Sequence, residues 1–346
     1  TETLAEAQRL DEADRMAARW RELAPADAMV IDVVQARIKC IRGQVKEALK
    51  LLDAHKDQIE SAAAEKPGDV EVYAAALAAE GRIEDARRLV VDRARASPAW
   101  GIRYLRISGV LMTNPDAART WLADLSIETS SPADLVSAAA QAWFSLGLAE
   151  TKQERPDQAI ADFDQAQTHA QHLAAMPGQE GTGSMLLASI YMARNQSDRA
   201  IEAYRIAVAK LPESADALNN LAYLLEQKSD GISEAAVLAR RALDLAAKQR
   251  LPDSTRSHFL ETLGIAELRL GNFAAAQAAF QAGLDIDPNA ADLAIGLAES
   301  LIGLNRRQDA QRLVDQIARL TPPRQELDPR LKVRLDVLRD RLAAQK

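Results

Sequence analysis

The segment 263–288 constrains the fold more than any other part of this sequence. It reads LGIAELRLGNFAAAQAAFQAGLDIDP, in which small and large apolar residues recur at the spacing of α-helical turns. A glycine follows the first Leu-Gly pair and a proline closes the segment, and both residue types end helices. The pattern therefore predicts two short helices packed antiparallel across a tight turn. The residues that carry it are Leu263, Gly264, Gly271, Ala276, Phe280 and Pro288.

The same order of residues recurs along the chain at intervals of about 34 residues. Small residues at two fixed positions of each unit would let its two helices approach closely, and a larger residue would fill the space beside them. This recurrence predicts roughly eight units preceded by half of another. The units begin at Met29, Pro67, Gly101, Ala140, Gly181, Ala215, Ser257 and Ala291.

This recurring pattern resembles the tetratricopeptide repeat (TPR), and the resemblance covers nearly the whole chain. It implies an all-α fold, a right-handed superhelical solenoid of antiparallel helix pairs. After Pro323 the pattern changes, and an apolar stripe of Leu331, Leu335, Leu338 and Leu342 predicts a C-terminal capping helix that seals the last repeat. The segments ALNNLAYLLEQ, ARRALDLA and LETLGIAELRLGNFAAAQ also resemble the closing repeats of large bacterial TPR scaffolds. Those scaffolds include proteins of exopolysaccharide export and of exosortase-associated surface-protein systems.

Interruptions of the spacing divide the chain into five predicted segments. Polar insertions follow Leu125, His172 and Leu245, and we expect the loop at 177–184 to be mobile. The chain begins without Met inside a predicted helix, so we expect it to be a piece of a longer protein. The segments are 1–25, the second half of a truncated repeat; 29–131, three degenerate repeats; 132–248, three repeats; 257–322, two repeats; and 323–346, the capping helix.

Composition and charge argue against several classes of protein. The formal net charge is −7 and no basic stripe is present, which argues against binding of nucleic acid. No apolar run is long enough to span a membrane, so direct membrane insertion is not expected. No targeting signal is visible, which leaves both the bacterial periplasm and the cytoplasm open as compartments. Cys40 stands alone and is most simply a small core residue.

No enzyme signature emerges from the sequence. His169 and His172 lie three residues apart on one predicted helix, but no third metal ligand is specified, so a solvent-exposed pair is the simpler interpretation. The GTGS sequence at 181–184 lacks the lysine and the preceding strand that a phosphate loop needs. We therefore predict no catalytic residues, no bound metal and no cofactor.

The family resemblance implies where a partner would bind, because TPR proteins use the concave groove lined by the first helix of each unit. With the exception of Arg106, the positions that form a carboxylate clamp in chaperone-binding members carry almost no lysine or arginine here. Apolar residues, including flexible methionines, occupy the middle of the predicted groove and suit a peptide or helix. The alternative is that these side chains pack on each other in a tight superhelix. The predicted groove residues are Ile102, Leu105, Met112, Phe144, Leu148, Met185, Met192, Asn219 and Tyr223.

Two functions of different class remain open at this point. The first is a scaffold that binds a partner peptide or helix in its groove, as part of a larger multi-domain bacterial protein. The second is a regulatory or accessory region of an enzyme whose catalytic domain lies outside this piece. Self-association, a homo-oligomer formed through the open half-repeat at 1–25, is a third interpretation.

Overall fold

A computed structural model of the protein describes residues 2–320 and 329–344. Within those residues it contains nineteen α-helices, two short 3-10 helices and no β-strand, which confirms the predicted all-α fold. The chain divides into two compact units, Thr1–Met176 and Pro177–Lys346, and each is described by itself. The division of 1–322 into repeats by sequence spacing stays a prediction.

In the first unit, consecutive helices pack against each other across short connections. α2 packs on α3, α5 on α6, and α9 on α10, while α2, α5, α7 and α9 lie side by side. We call the surface formed by those last four helices the first-helix face of the first unit. The helices are α1 (Glu2–Leu23), α2 (Ala28–Ile41), α3 (Val45–Asp53), α4 (Lys56–Ser61), α5 (Pro67–Ala79), α6 (Ile83–Ala96), α7 (Pro98–Ile107), α8 (Pro115–Leu122), α9 (Ala133–Lys152) and α10 (Pro156–Ala175), with 3-10 helices at Pro25–Asp27 and Ser108–Leu111.

The second unit repeats this arrangement with more regular pairs. α11 packs on α12, α13 on α14, α15 on α16 and α17 on α18, and α13, α15, α17 and α19 lie side by side. Those four helices form the first-helix face of the second unit. The helices are α11 (Glu180–Ala193), α12 (Ser197–Lys210), α13 (Ala215–Glu226), α14 (Ile232–Gln249), α15 (Asp253–Arg269), α16 (Phe273–Ile286), α17 (Ala291–Gly303), α18 (Arg307–Leu320) and α19 (Pro329–Ala343).

Aromatic side chains hold the core of the first unit together. The rings of Tyr104 on α7 and Trp121 on α8 stack with their centroids 4.4 Å apart. The indole Nε1 of Trp121 also donates a hydrogen bond to the carbonyl oxygen of Tyr104 at 2.9 Å. Both residues are almost fully buried. They therefore join α7 and α8 even though α8 is only two turns long.

Glycines opposite Phe280 set the closest approaches in the second unit. A Cβ placed at Gly264 on α15 would lie 2.6 Å from the ring of Phe280, and one at Gly296 on α17 would lie 2.4 Å from it. Ala276, one turn before Phe280 on α16, is fully buried. The small residues thus stand where a larger side chain would separate the helices.

Left-handed residues end the first helix of several pairs. Gly271 has φ +78° just after α15, and Asn305 has φ 60° just after α17. Glycine adopts this conformation without the steric penalty of a Cβ, and asparagine tolerates it better than most residues. These turns join α15 to α16 and α17 to α18 tightly enough for the pairs to pack.

The segment at 177–184 differs from the expected loop. α11 begins at Glu180, so most of this segment is the first turn of a helix. Gly181 and Gly183 are buried, and a Cβ at Gly181 would lie 2.5 Å from Leu211. Gly181 therefore serves close packing, and the expectation of a mobile loop there is wrong for the residues from 180 onward.

The last helix of the described chain covers the end of the second unit. α19 packs against α17 and α18 through Leu335, Leu338 and Leu342, all buried. Leu331 packs partly buried against the same core. These are the four leucines of the predicted stripe, which confirms the capping helix; residues 323–328 of the predicted segment lie outside the described residues.

Candidate functional site

The predicted groove residues of the first unit lie on α7 and α9 of its first-helix face, except Met112, which follows the 3-10 helix Ser108–Leu111, and they differ in exposure. On α9, Leu148 is 44% exposed. Phe144, one turn earlier, is half-buried, with its ring 5.9 Å from that of Phe163 on α10. Ile102 and Met112 are partly buried against the core of this unit. The accessible apolar surface here is therefore centred on Leu148.

Leu105 is the exception among these residues. It is only 3% exposed and belongs to the core cluster of the first unit. A buried side chain cannot contact a partner directly, so its assignment to the groove is corrected to a supporting position. Aspartate at this position would bury a charge and unfold the helix packing, which makes Leu148 the better residue for testing the surface.

In the second unit, the predicted residues divide between two helix pairs. Met185 and Met192 on α11 are partly buried against a cluster that includes residues of α12 and α13. Asn219 and Tyr223 lie one turn apart on α13, where Tyr223 is 40% exposed and Asn219 only 7% exposed. The side-chain Oδ1 of Asn219 is covered from solvent and accepts no hydrogen bond from any residue that the structure describes.

Glu226 continues the same face of α13, seven residues after Asn219. It is 5% exposed, and its Oε2 accepts no hydrogen bond within the described part of the chain. Burial raises the pKa of its carboxyl to about 8, against the lowering effect of Arg269 on α15 and Arg334 on α19. The neighbouring carboxylate of Glu261 on α15 raises the pKa further. The group is therefore mostly protonated at neutral pH.

A second carboxyl pair lies on the same face of the second unit. Glu261 on α15 and Asp292 on α17 are both half-buried. Burial and the neighbouring charge of Asp292 raise the pKa of Glu261 to about 7, against the lowering effect of Arg334.

Sequence reasoning missed Glu261 and Asp292, although the signal was available. Both occupy first-helix positions that the family uses to line the groove, in the units that begin at Ser257 and Ala291. In the earlier units the same positions carry mainly apolar residues, and the groove was predicted from those. Glu299 on α17 completes the set and pairs with Arg334 on α19, whose guanidinium lies 2.6 Å from its carboxylate.

A different buried charge network, in the first unit, has a structural role. Arg119 on α8 donates from Nη2 to Asp162 on α10 at 2.8 Å and also binds Glu150 on α9. Arg155 lies 3.1 Å from the second oxygen of Glu150. The arginines tie three helices together through these ion pairs, although Oε2 of Glu150 accepts no hydrogen bond within the described residues.

The histidines give no metal site. His169 is partly buried, and burial lowers the pKa of its imidazole, so the expectation of an exposed pair is corrected for this residue. His172 lies with Nε2 at 3.2 Å from the carbonyl oxygen of Thr129. Among the residues that the structure describes, no group of three or more His, Cys, Asp or Glu is arranged to hold a metal ion.

Paired helices, interlocked through small residues and joined by tight turns, define a helical-repeat protein. Family models of the tetratricopeptide repeat match residues 113–172 and 185–254, and a further one matches 267–330. Together these matches cover more than half of the chain. The chain belongs to the tetratricopeptide repeat family, which confirms the resemblance seen in the sequence.

Individual proteins to which the chain is similar share only a small fraction of its sequence. "Cellulose synthase operon protein C" of Pseudomonas fluorescens strain SBW25 is 28% identical over 148 residues, which are 42% of this chain and 11% of that protein. A chain of the APC/C hetero-tetramer Cut9–Hcn1 superimposes with a TM-score of 0.52 at 16% identity, over 89% of this chain and 55% of that one. PilW, a widely conserved type IV pilus biogenesis factor, gives a TM-score of 0.47 at 19% identity, over 59% of this chain and 86% of PilW.

These findings support a role in protein–protein interaction at the level of the family. The tetratricopeptide repeat fold is generally non-catalytic. None of the helices in the described ranges combines the length and the apolar character needed to cross a bilayer.

Proposed function

We propose that the chain is a protein-binding scaffold region that holds a segment of a partner on its first-helix faces. The observation that carries this proposal is the exposure of large side chains on those faces, Leu148 in the first unit and Tyr223 in the second. An amphipathic aromatic ring and an exposed leucine on a preformed helical surface are typical anchors for a peptide or helix.

We also propose that the chain is part of a larger bacterial assembly. The relative from Pseudomonas fluorescens is named for a cellulose synthase operon, and the matched residues span only 11% of its length. We therefore propose that the chain is part of a large scaffold in a polysaccharide-producing system. The concave groove of the family is the surface on which the partner segment would lie.

A displayed library of random peptides tests the binding surface directly, because selection from it does not require a named partner. Peptides selected on the wild-type chain should bind Leu148→Asp and Tyr223→Asp about ten-fold more weakly or worse, because removal of an interface anchor costs about 2 kcal/mol. Fluorescence anisotropy with the labelled peptides measures the change. Circular dichroism should show unchanged helicity, because both side chains are exposed.

The chain offers matched controls on the second helices of its pairs. Ile160 on α10 and Ile206 on α12 are each 50% exposed, so Ile160→Asp and Ile206→Asp introduce the same charge at similar exposure away from the first-helix faces. These two variants should bind the peptides like the wild type. Equal weakening by all four variants, or by none, would show that the first-helix faces are not the binding surface.

A further inference from the structure

The first-helix face of the second unit holds more acid than base. Four carboxyl groups (Glu226, Glu261, Asp292 and Glu299) lie on α13, α15 and α17, whereas the cations acting on this group are Arg269 and Arg334. Arg334 is already engaged by Glu299. Glu226, Glu261 and Asp292 are thus left without a full complement of positive charge.

An independent observation points to a missing donor at this place. Glu226 is 95% shielded, its Oε2 accepts no hydrogen bond from the described residues, and the charged groups acting on it from α15 and α19 place its carboxyl on this face. Asn219, two turns earlier on the same face, has an unpaired and covered Oδ1. Buried acceptors of this kind normally have a donor. A cation held at the half-buried acids of this face would offset the excess of negative charge beside these acceptors.

We propose that this face binds a lysine or arginine side chain of the partner segment, with the half-buried Glu261 and Asp292 as the acidic groups that receive it and the buried Glu226 as the acid that acts on Glu261. The inference rests on the proposed scaffold function and adds the chemistry of the partner. Charge complementarity selects a basic segment over an acidic or neutral one. A long side chain with an ammonium or guanidinium end can reach half-buried carboxyl groups from the exposed surface at Tyr223.

Protons occupy this site when no cation does. The raised pKa values of Glu226 and Glu261 favour the protonated form of both carboxyl groups, which keeps like charges from facing each other. An incoming cation favours the ionised carboxylates, so these protons leave to the solvent as it binds. The groups that act on Glu226 are Glu261 and Arg269 on α15 and Arg334 on α19, and those that act on Glu261 are Asp292 on α17 and again Arg334. Binding of a basic peptide should therefore tighten as the pH rises.

Two end-blocked hexapeptides, one alternating Lys with Ala and the other Glu with Ala, test the site on the full chain. The Lys peptide should bind, and its affinity should increase between about pH 6 and about pH 9, the range in which the raised carboxyl pKa values lie. The Glu peptide should not bind. Titration calorimetry in two buffers of different ionisation enthalpy should show release of protons on binding.

Charge-removing variants separate a specific site from the general attraction of an acidic protein. Glu261→Gln should weaken the Lys peptide about ten-fold, because a charge-assisted hydrogen bond is lost. Glu226→Gln should in addition flatten the pH dependence. Glu202→Gln removes the same charge from an exposed position on α12 and should have less than about a two-fold effect.

Equal weakening by Glu261→Gln and Glu202→Gln, or equal binding of the two peptides, would overturn the cation site. In that case the scaffold function is still supported if the binding of library-selected peptides depends on Leu148 and Tyr223. The opposite result, a Lys peptide that depends on Glu261 while selected peptides ignore Leu148 and Tyr223, would support the cation site and contradict the broader use of the first-helix faces.

Discussion

At the scale of single residues, exposure separates side chains that the sequence pattern treats as equal. Leu105 and Leu148 both occupy first-helix positions that the family uses for its groove, yet the first is 3% and the second 44% exposed. Leu105 belongs to the buried core cluster of the first unit, whereas Leu148 lies outside that cluster and faces solvent. The position of a residue in the repeat thus sets the direction in which its side chain points, and the packing around it decides how exposed that side chain is.

Glu226 gives a prediction about pH and stability at the same scale. Its pKa rises from an ordinary value of 4.5 in the unfolded chain to about 8 in the folded one. Folding therefore favours the protonated form, so stability is greatest below about pH 4.5 for this group and is lost as the pH rises through about 8. Glu226→Gln, which stays neutral, should melt at a higher temperature than the wild type, by a margin that grows between about pH 5 and about pH 9.

Thermal unfolding followed by circular dichroism across this pH range measures the margin. Glu202→Gln, an exposed neutralisation on α12, serves as the control and should show a difference that is small and independent of pH. A constant margin for Glu226→Gln would mean that the carboxyl is not protonated in the folded protein.

At the scale of helices, most of the fold was predictable and much of the surface was not. The spacing of Gly264, Ala276 and Phe280 predicted two packed helices, and α15 and α16 have those residues at their closest contact. Such spacing is local information, because both helices of a pair lie within one repeat. The half-buried carboxyl pair of Glu261 and Asp292 depends on contact between α15 and α17, which a single repeat does not encode.

The N-terminal half shows a second reason for disagreement. The short helix α4 (Lys56–Ser61) stands between α3 and α5, and a 3-10 helix at Ser108–Leu111 follows α7. No element of the repeat pattern corresponds to either, since the pattern assumes two continuous helices per unit. At 181–184, a glycine that would favour a loop elsewhere, Gly181, is required by close packing on Leu211. Tertiary packing overrode local propensity there.

The capping helix supports a prediction at this scale. Leu338 on α19 is 1% exposed and packs on the core of α17 and α18. Leu338→Ala should lower the free energy of unfolding by about 2–4 kcal/mol, because a buried leucine leaves a cavity when truncated. Its neighbour Val337 is 50% exposed, so Val337→Ala should change stability by less than about 0.5 kcal/mol.

Urea unfolding followed by circular dichroism compares these two variants with the wild type. If Leu338→Ala unfolded at the same urea concentration as Val337→Ala, α19 would not cover the end of the array in solution. Replacement of valine or leucine by alanine raises helix propensity by less than about 0.7 kcal/mol, so this effect cannot account for a loss of about 2–4 kcal/mol.

At the scale of the whole molecule, each of the two units contains buried core clusters of its own. Residues 177–346, produced alone, should retain helical circular dichroism and a cooperative urea transition, because a compact unit with its own core folds independently. A shorter piece that begins at residue 197 lacks α11, so the side of α12 that carries Ala200 and Tyr204 loses its cover. That piece should unfold at a lower urea concentration. An unfolded 177–346 would show that this unit needs the rest of the chain.

The ring of Phe280, held between Gly264 and Gly296, has a consequence for how such a gene can change by recombination. A crossover in the turn between α16 and α17 would part Phe280 from Gly296, and one between α15 and α16 would part it from Gly264. Phe273 on α16 adds a second tie, since a Cβ at Gly303 on α17 would lie 2.3 Å from it. Recombination in this region would therefore have to exchange α15, α16 and α17 together. If only α15 and α16 were duplicated, the ring of Phe280 would meet a following helix that lacks the glycine it packs against.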